Sequence, residues 1–101
     1  MSNKAKILDI AMNLNRIGNL AADDYEKKKK RIDIFLEEIK EYIDSIDKSS
    51  LSKPFKKTFD KFQEEYLLLE KENIKTQQEK QTWAEKMMTW GNILTHRARI
   101  I

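Results

Sequence analysis

Cysteine is absent from this sequence, glycine and proline are scarce, and there is one histidine in 101 residues. Each shortage excludes something. Without thiols there is no disulfide framework and no cysteine-ligated zinc site. Gly18 and Gly91 lie toward opposite ends of the chain, so no glycine-rich loop can cradle a phosphate. An all-β fold needs turn signals every 8–12 residues or so, and two glycines and one proline cannot supply them. No apolar run approaches the roughly 18 residues of a membrane span. Lys4 and Lys6 precede some apolar residues, but Asp9, Asn13, Asn15 and Arg16 break up any signal-peptide core. A cytoplasmic protein is expected.

What is abundant is charge. Charged residues make up 37%, against roughly 25% in an ordinary globular domain, yet the 20 basic side chains nearly balance the 17 acidic ones. Helix formers dominate. The expectation is a single all-α domain over residues 1–101. Its strongest punctuation is central, where three serines and Pro54 follow Asp47. Proline suits the first turn of a helix, where its missing N–H would be unpaired anyway, and Ser52 suits the cap before it. The reading places one helix over about 3–47, a turn over about 48–53, and a second helix over about 54–98.

Spacing supports a long antiparallel helical hairpin of coiled-coil type. In the second segment Phe55, Phe59, Phe62, Tyr66 and Leu69 continue through Asn73, Thr76 and Lys80 to Trp83, Met87, Trp90 and Leu94, in alternating steps of four and three. The first segment gives Ile7, Ile10, Leu14, Ile17, Ala21, Tyr25, Lys28, Ile32, Phe35, Ile39, Tyr42 and Ile46. Folding at the central turn brings the polar stretch around Lys28 to the level of Asn73. Capping-box patterns at Asp23/Glu26 and Thr82/Glu85 allow an alternative, four shorter helices in one chain. The apolar stripe is wider than a two-helix seam requires, since Leu8, Ile34, Leu36, Ile43, Leu67, Leu68, Met88 and Ile93 flank it. A second copy or another helical protein is expected to cover them, so that two hairpins form a homodimeric four-helix bundle.

Chemistry-bearing groups are few. His96 is the one histidine, and its neighbour Thr95 points elsewhere on a helix, so no nucleophile–base pair forms. No Glu-x-x-His pair is present for a di-metal bundle, and Glu37, Glu38 and Glu41 read as a solvated patch. The sequence therefore implies no catalytic residues, metal or cofactor. Lys27–Arg31 is offset by acids through the i,i+4 pairs Asp23–Lys27, Asp24–Lys28, Glu26–Lys30 and Lys29–Asp33. Phosphate binding needs uncompensated positive charge, which argues against nucleic acid as the main partner. The better basic patch is at the turn: Lys53, Lys56, Lys57 and Lys61.

The C-terminal block holds both tryptophans. Trp83, Met87, Trp90 and Leu94 share a helix face and are the expected protein interface, since tryptophan dominates binding hot spots and methionine suits adaptable apolar surfaces. Gly91 within that block costs about 1 kcal/mol against alanine in a helix, which a close helix approach would justify. The size and missing cysteines are similar to the small secreted helical hairpins of the Trp-x-Gly class, and Tyr66-x-x-x-Glu70 matches a loose motif of that export route. The central turn lacks the defining Trp-x-Gly, and Trp90-Gly91 has no spacer, so the chain is not assigned to that class. The functional expectation is a non-catalytic protein–protein interaction module: a self-associating adaptor, regulator or accessory subunit. The alternative is a nucleic-acid-associated protein using the basic turn.

Overall fold

A computed structural model describes residues 1–101. It is all-helical: α1 spans Asn3–Ser45, α2 Lys53–Lys71 and α3 Gln77–Arg97, with single 3-10 turns at Lys48–Ser50 and Ala98–Ile100. The first helix does not run straight. Asp24 has extended backbone angles, φ −158° and ψ 93°, inside an otherwise helical stretch. A straight helix of 43 residues would be about 65 Å long. The whole molecule is only 39 Å in its longest dimension, with a radius of gyration of 13.4 Å. Helix α1 therefore doubles back at Asp24.

Its two limbs, residues 3–23 and 25–45, pack antiparallel. Lys6 Nζ donates to the Ser45 carbonyl at 2.9 Å, Tyr42 Oη donates to Asp9 at 3.0 Å, and Asn13 Nδ2 donates to Glu38 at 3.1 Å. The Arg16 guanidinium lies over the Phe35 ring. As one partner advances along the chain, the other retreats in step. Asn13 is the one buried polar side chain, and it is satisfied on both sides, because its Oδ1 accepts from Arg16 at 3.1 Å. Such a buried polar pairing favours one register over its neighbours, since a slip would leave the amide unpaired.

The expected continuous second helix is also corrected. Residues 72–76 connect α2 to α3, and the polar seam positions Asn73 and Thr76 lie in that connection. The physical reason is local. Thr76 Oγ1 accepts from the Glu79 N–H at 3.0 Å, and Glu79 accepts from the Thr76 N–H at 2.8 Å, a complete capping box that starts a new helix. The backbone hydrogen bonds to Glu79 hold its carboxyl below the usual range. The four limbs enclose one core. Phe55, Phe59, Phe62, Tyr66 and Leu69 of α2 meet Trp83, Met87, Trp90 and Leu94 of α3 and the isoleucines and Leu14 of α1. Inside it, Trp83 Nε1 donates to the Leu69 carbonyl at 2.8 Å, and Phe62 and Trp90 pack with centroids 5.5 Å apart.

The closest helix approach is between the N-terminal limb of α1 and α3, and both glycines sit in it. A methyl group on Gly91 would lie 2.9 Å from the Asn15 side chain. One on Gly18 would lie 2.2 Å from Met88 Cγ and 2.9 Å from the Ala84 carbonyl oxygen. The close approach that Gly91 implied is thus within the chain. No helix is long and apolar enough to cross a membrane.

Candidate functional site

The four expected interface residues are inside the molecule. Trp83, Met87 and Leu94 are at most 2% exposed and Trp90 is 7% exposed. A side chain spent on the intrachain core cannot also present a contact surface, so this surface has to be sought elsewhere. Most of the flanking apolar residues, Leu8, Leu36, Ile43, Met88 and Ile93 among them, pack partly buried against the same core. The fold-back of α1 covers what a two-helix hairpin would leave wet. Ile34, Leu67 and Leu68 remain exposed.

The basic residues of the turn stand differently. Lys53, Lys56, Lys57 and Lys61 are all exposed. Ser52 organises this end of the molecule. Its Oγ accepts the Phe55 N–H, capping α2 at 3.3 Å, and donates to the Ile100 carbonyl at 2.5 Å. Its own N–H donates to the Ile101 carbonyl at 3.0 Å. Asn3 Nδ2 reaches Ser50 Oγ at 2.6 Å and the Asp47 carbonyl at 3.1 Å. Both chain ends and the central turn are therefore tied together at one end of the bundle. Arg97 and Arg99, remote in sequence, join the lysines there, and both are exposed. Arg97 also suits its place in the last turn of α3, where the helix dipole favours a cation.

Lys53, Lys57 and Lys61 follow one another at i,i+4 and so form a row along α2. The row runs into a groove between α2 and α3 of about 350 Å³, bordered by Lys61, Arg97 and Glu65, with Trp90 and the half-buried Ile93 beneath. Lys56 lies off this row. Lys48 is drawn to Asp60 at 3.7 Å. A second groove of about 400 Å³, between α2 and the C-terminal limb of α1, is lined by Lys40 and Lys71 against Asp44 and Glu70, and its charges cancel. Tyr66 lies beneath it and donates to the Leu36 carbonyl at 3.2 Å; burial, with Glu70 and Glu37 nearby, pushes its phenol above the ordinary range.

The Lys27–Arg31 run is less self-neutralised than the spacing implies. Of its four expected pairs only Lys29–Asp33 forms, at 2.7 Å. The bend at Asp24 interrupts the two aspartate pairs, although Asp23 still reaches Lys28 at 4.0 Å, and Glu26 is taken by Lys80 of α3, whose ammonium holds that carboxyl below its usual range. His96 is exposed, and no three metal-ligating side chains converge anywhere in the fold. Sequence reasoning missed Arg97 as part of the basic end. A hairpin folded at the central turn would put residue 97 at the far end from residue 54; only the break at residues 72–76, midway between them, returns Arg97 to the turn, so the capping pair Thr76/Glu79 was the one available signal. No family model, curated protein or solved structure matches the chain.

Proposed function

We propose that this chain is a small helical protein-binding module without catalytic activity, an adaptor or accessory subunit, which engages an acidic protein segment along the α2–α3 groove. The reading also keeps self-association and a cytoplasmic setting. One observation carries it: Lys61 and Arg97, with Glu65, border a groove that Trp90 and Ile93 also line, and Lys53 and Lys57 extend the Lys61 row along α2 toward the turn. Cations at a rim over an apolar base suit an amphipathic partner that offers carboxylates and one or two apolar anchors. Glu65 and Asp60 lie on the same helix as the lysines, and their charge weakens the site for a phosphate polymer more than for a mixed protein surface.

The test is affinity capture with chemical cross-linking, comparing wild type with a Lys57→Glu/Lys61→Glu/Arg97→Glu variant. A protein cross-linked to Lys57 or Lys61 in wild type and lost from the variant supports the reading. The gathering of Arg97 and Arg99 with the lysines favours a second reading, binding of nucleic acid at the same end. Duplex DNA binding at physiological salt is expected within the non-specific range of about 10⁻⁴–10⁻⁶ M. Submicromolar binding, abolished in the same variant, would replace the first reading with the second.

A further inference from the structure

Helix α1 is bent at a single residue, and nothing covalent in its sequence demands the bend. No glycine or proline lies between Gly18 and Pro54. Around Asp24 stand Ala21, Ala22, Glu26 and Lys27–Lys30, all good helix formers. The bend is held by exposed contacts: Asp24 Oδ1 accepts the Lys27 N–H at 3.2 Å, and Lys80 reaches Glu26. Tyr25 adds an edge-on contact to Trp83, centroids 5.6 Å apart. A helix that could continue is here stopped by one capping aspartate.

The pairing of the two limbs has a property that matters if it does continue. The contacts Lys6–Ser45, Asp9–Tyr42, Asn13–Glu38 and Arg16–Phe35 all share one centre, between residues 25 and 26. At 3.6 residues per turn, the two sets of contacting residues lie on the same side of a straight α1. So do the core residues of the two limbs, Ile7, Leu14 and Ala21 with Ile32 and Ile39. Two straight α1 helices crossing antiparallel about that centre would therefore make every one of these contacts twice, between chains. Charge agrees at the crossing. Position 23 would face 28 and position 24 would face 27, aspartates against lysines, and Lys28 already lies 4.0 Å from Asp23 within the chain. Asp23–Lys27 and Asp24–Lys28 would also become regular i,i+4 pairs.

We propose that the binding partner of this helix is a second copy of the chain: α1 straightens at Asp24, and two chains exchange their N-terminal limbs to form a swapped dimer. Each limb 3–23 then occupies, against α2 and α3 of the other chain, the place it holds in its own chain in the monomer. The core is conserved in composition, and the hinge alone changes conformation. Exchange of an identical element is a low-cost route to a dimer for this reason. The inference rests on the self-association part of the reading above and gives it a geometry.

The chain has no native cysteine, so a Lys6→Cys/Ser45→Cys pair can be joined selectively by a short bis-maleimide. The protein is refolded at high concentration, separated by gel filtration and cross-linked, beside the same cysteine pair combined with Asp24→Ala and, separately, with two glycines inserted after Asp24. Removing the capping carboxylate and supplying a better helix former should lower the dimer dissociation constant at least tenfold. The glycine insertion should leave a monomer joined within one chain. In the dimer fraction the cross-link should join two chains, giving a covalent dimer on a denaturing gel. A dimer whose cross-link stays within each chain would overturn the exchange while leaving self-association standing. An Asp24→Ala protein that remains monomeric after concentrated refolding would overturn both.

Discussion

Gly18 and Gly91 look alike in the sequence, each an isolated glycine within a helix, but their surroundings differ. Replacing either by alanine gains about 1 kcal/mol of helix propensity. Against this stands the cost of forcing a methyl group into a packed contact, typically about 1–3 kcal/mol. At Gly18 the new atom meets a backbone oxygen, that of Ala84, as well as Met88, and backbone cannot swing aside. At Gly91 the nearest atoms are all in the side-chain end of Asn15, which is half-buried and can rotate. Gly18→Ala should therefore destabilise the fold by about 1–2 kcal/mol in urea unfolding, while Gly91→Ala should stay near neutral. A stabilised Gly18→Ala would contradict the close packing of α1 on α3. The buried tryptophans carry a second prediction. Trp83→Phe keeps most of the apolar volume but removes the indole donor from the Leu69 carbonyl, which keeps only the Glu72 N–H at 3.2 Å, and should cost about 0.5–1.5 kcal/mol. Trp90→Ala should cost about 3–5 kcal/mol by thermal or urea unfolding, with a midpoint independent of protein concentration in dilute monomer.

At the scale of elements, carboxylates at helix starts contribute to the acid sensitivity of the fold. Glu79 and Glu26 are both held below their ordinary value of 4.5, by the Thr76 backbone and by Lys80 respectively. Such groups stabilise the folded state above their unfolded value, and that contribution is lost as pH falls through the folded one. The melting temperature should accordingly be flat above about pH 5 and decline below about 4.5, the unperturbed carboxylate range. Glu79→Gln and Glu26→Gln together should flatten part of that decline. Thr76→Ala should cost about 1 kcal/mol, read as a lowered urea midpoint. A pH profile unchanged by the double substitution would show these carboxylates to be idle.

The same elements show what the sequence could and could not reveal. Every apolar position assigned to the second-segment seam, Phe55 through Leu94, is buried. Periodicity sees burial well, because the core-facing side of a helix is the same whether it runs on or stops. It does not see where the helix stops. Residues 73, 76 and 80 kept the heptad count across a real break, and only the Thr76–Glu79 capping pair marked it; Thr82–Glu85 competed as an equally good pattern. The bend near Asp23 was legible as the alternative reading, displaced by one residue, since Asp24 supplies the capping oxygen. The interface assignment failed for a related reason. A tryptophan–methionine stripe has the same spacing in a core as on a binding face, and only the return of α1 decides between them.

At the scale of the whole molecule, folding back gives one chain enough neighbours to bury its wide apolar stripe. It also sends both chain ends and the turn to a single end, where the basic residues collect. The proposed binding groove lies between α2 and α3 and depends on the break at residues 72–76, whereas the shared core and the proposed limb exchange depend on the return of α1 at Asp24. It can be measured directly with spin labels at positions 4 and 45, both exposed, by pulsed dipolar spectroscopy on labelled chains diluted into excess unlabelled protein at low micromolar concentration. Neighbouring helix axes lie about 8–10 Å apart, so the labels should show a distance of about 20 Å or less. A dominant distance near 60 Å, the length of about 41 residues of uninterrupted helix, in a sample that elutes as a monomer would mean that α1 is straight in the isolated chain and would contradict the account, whereas the same distance confined to a dimer fraction is the one limb exchange gives.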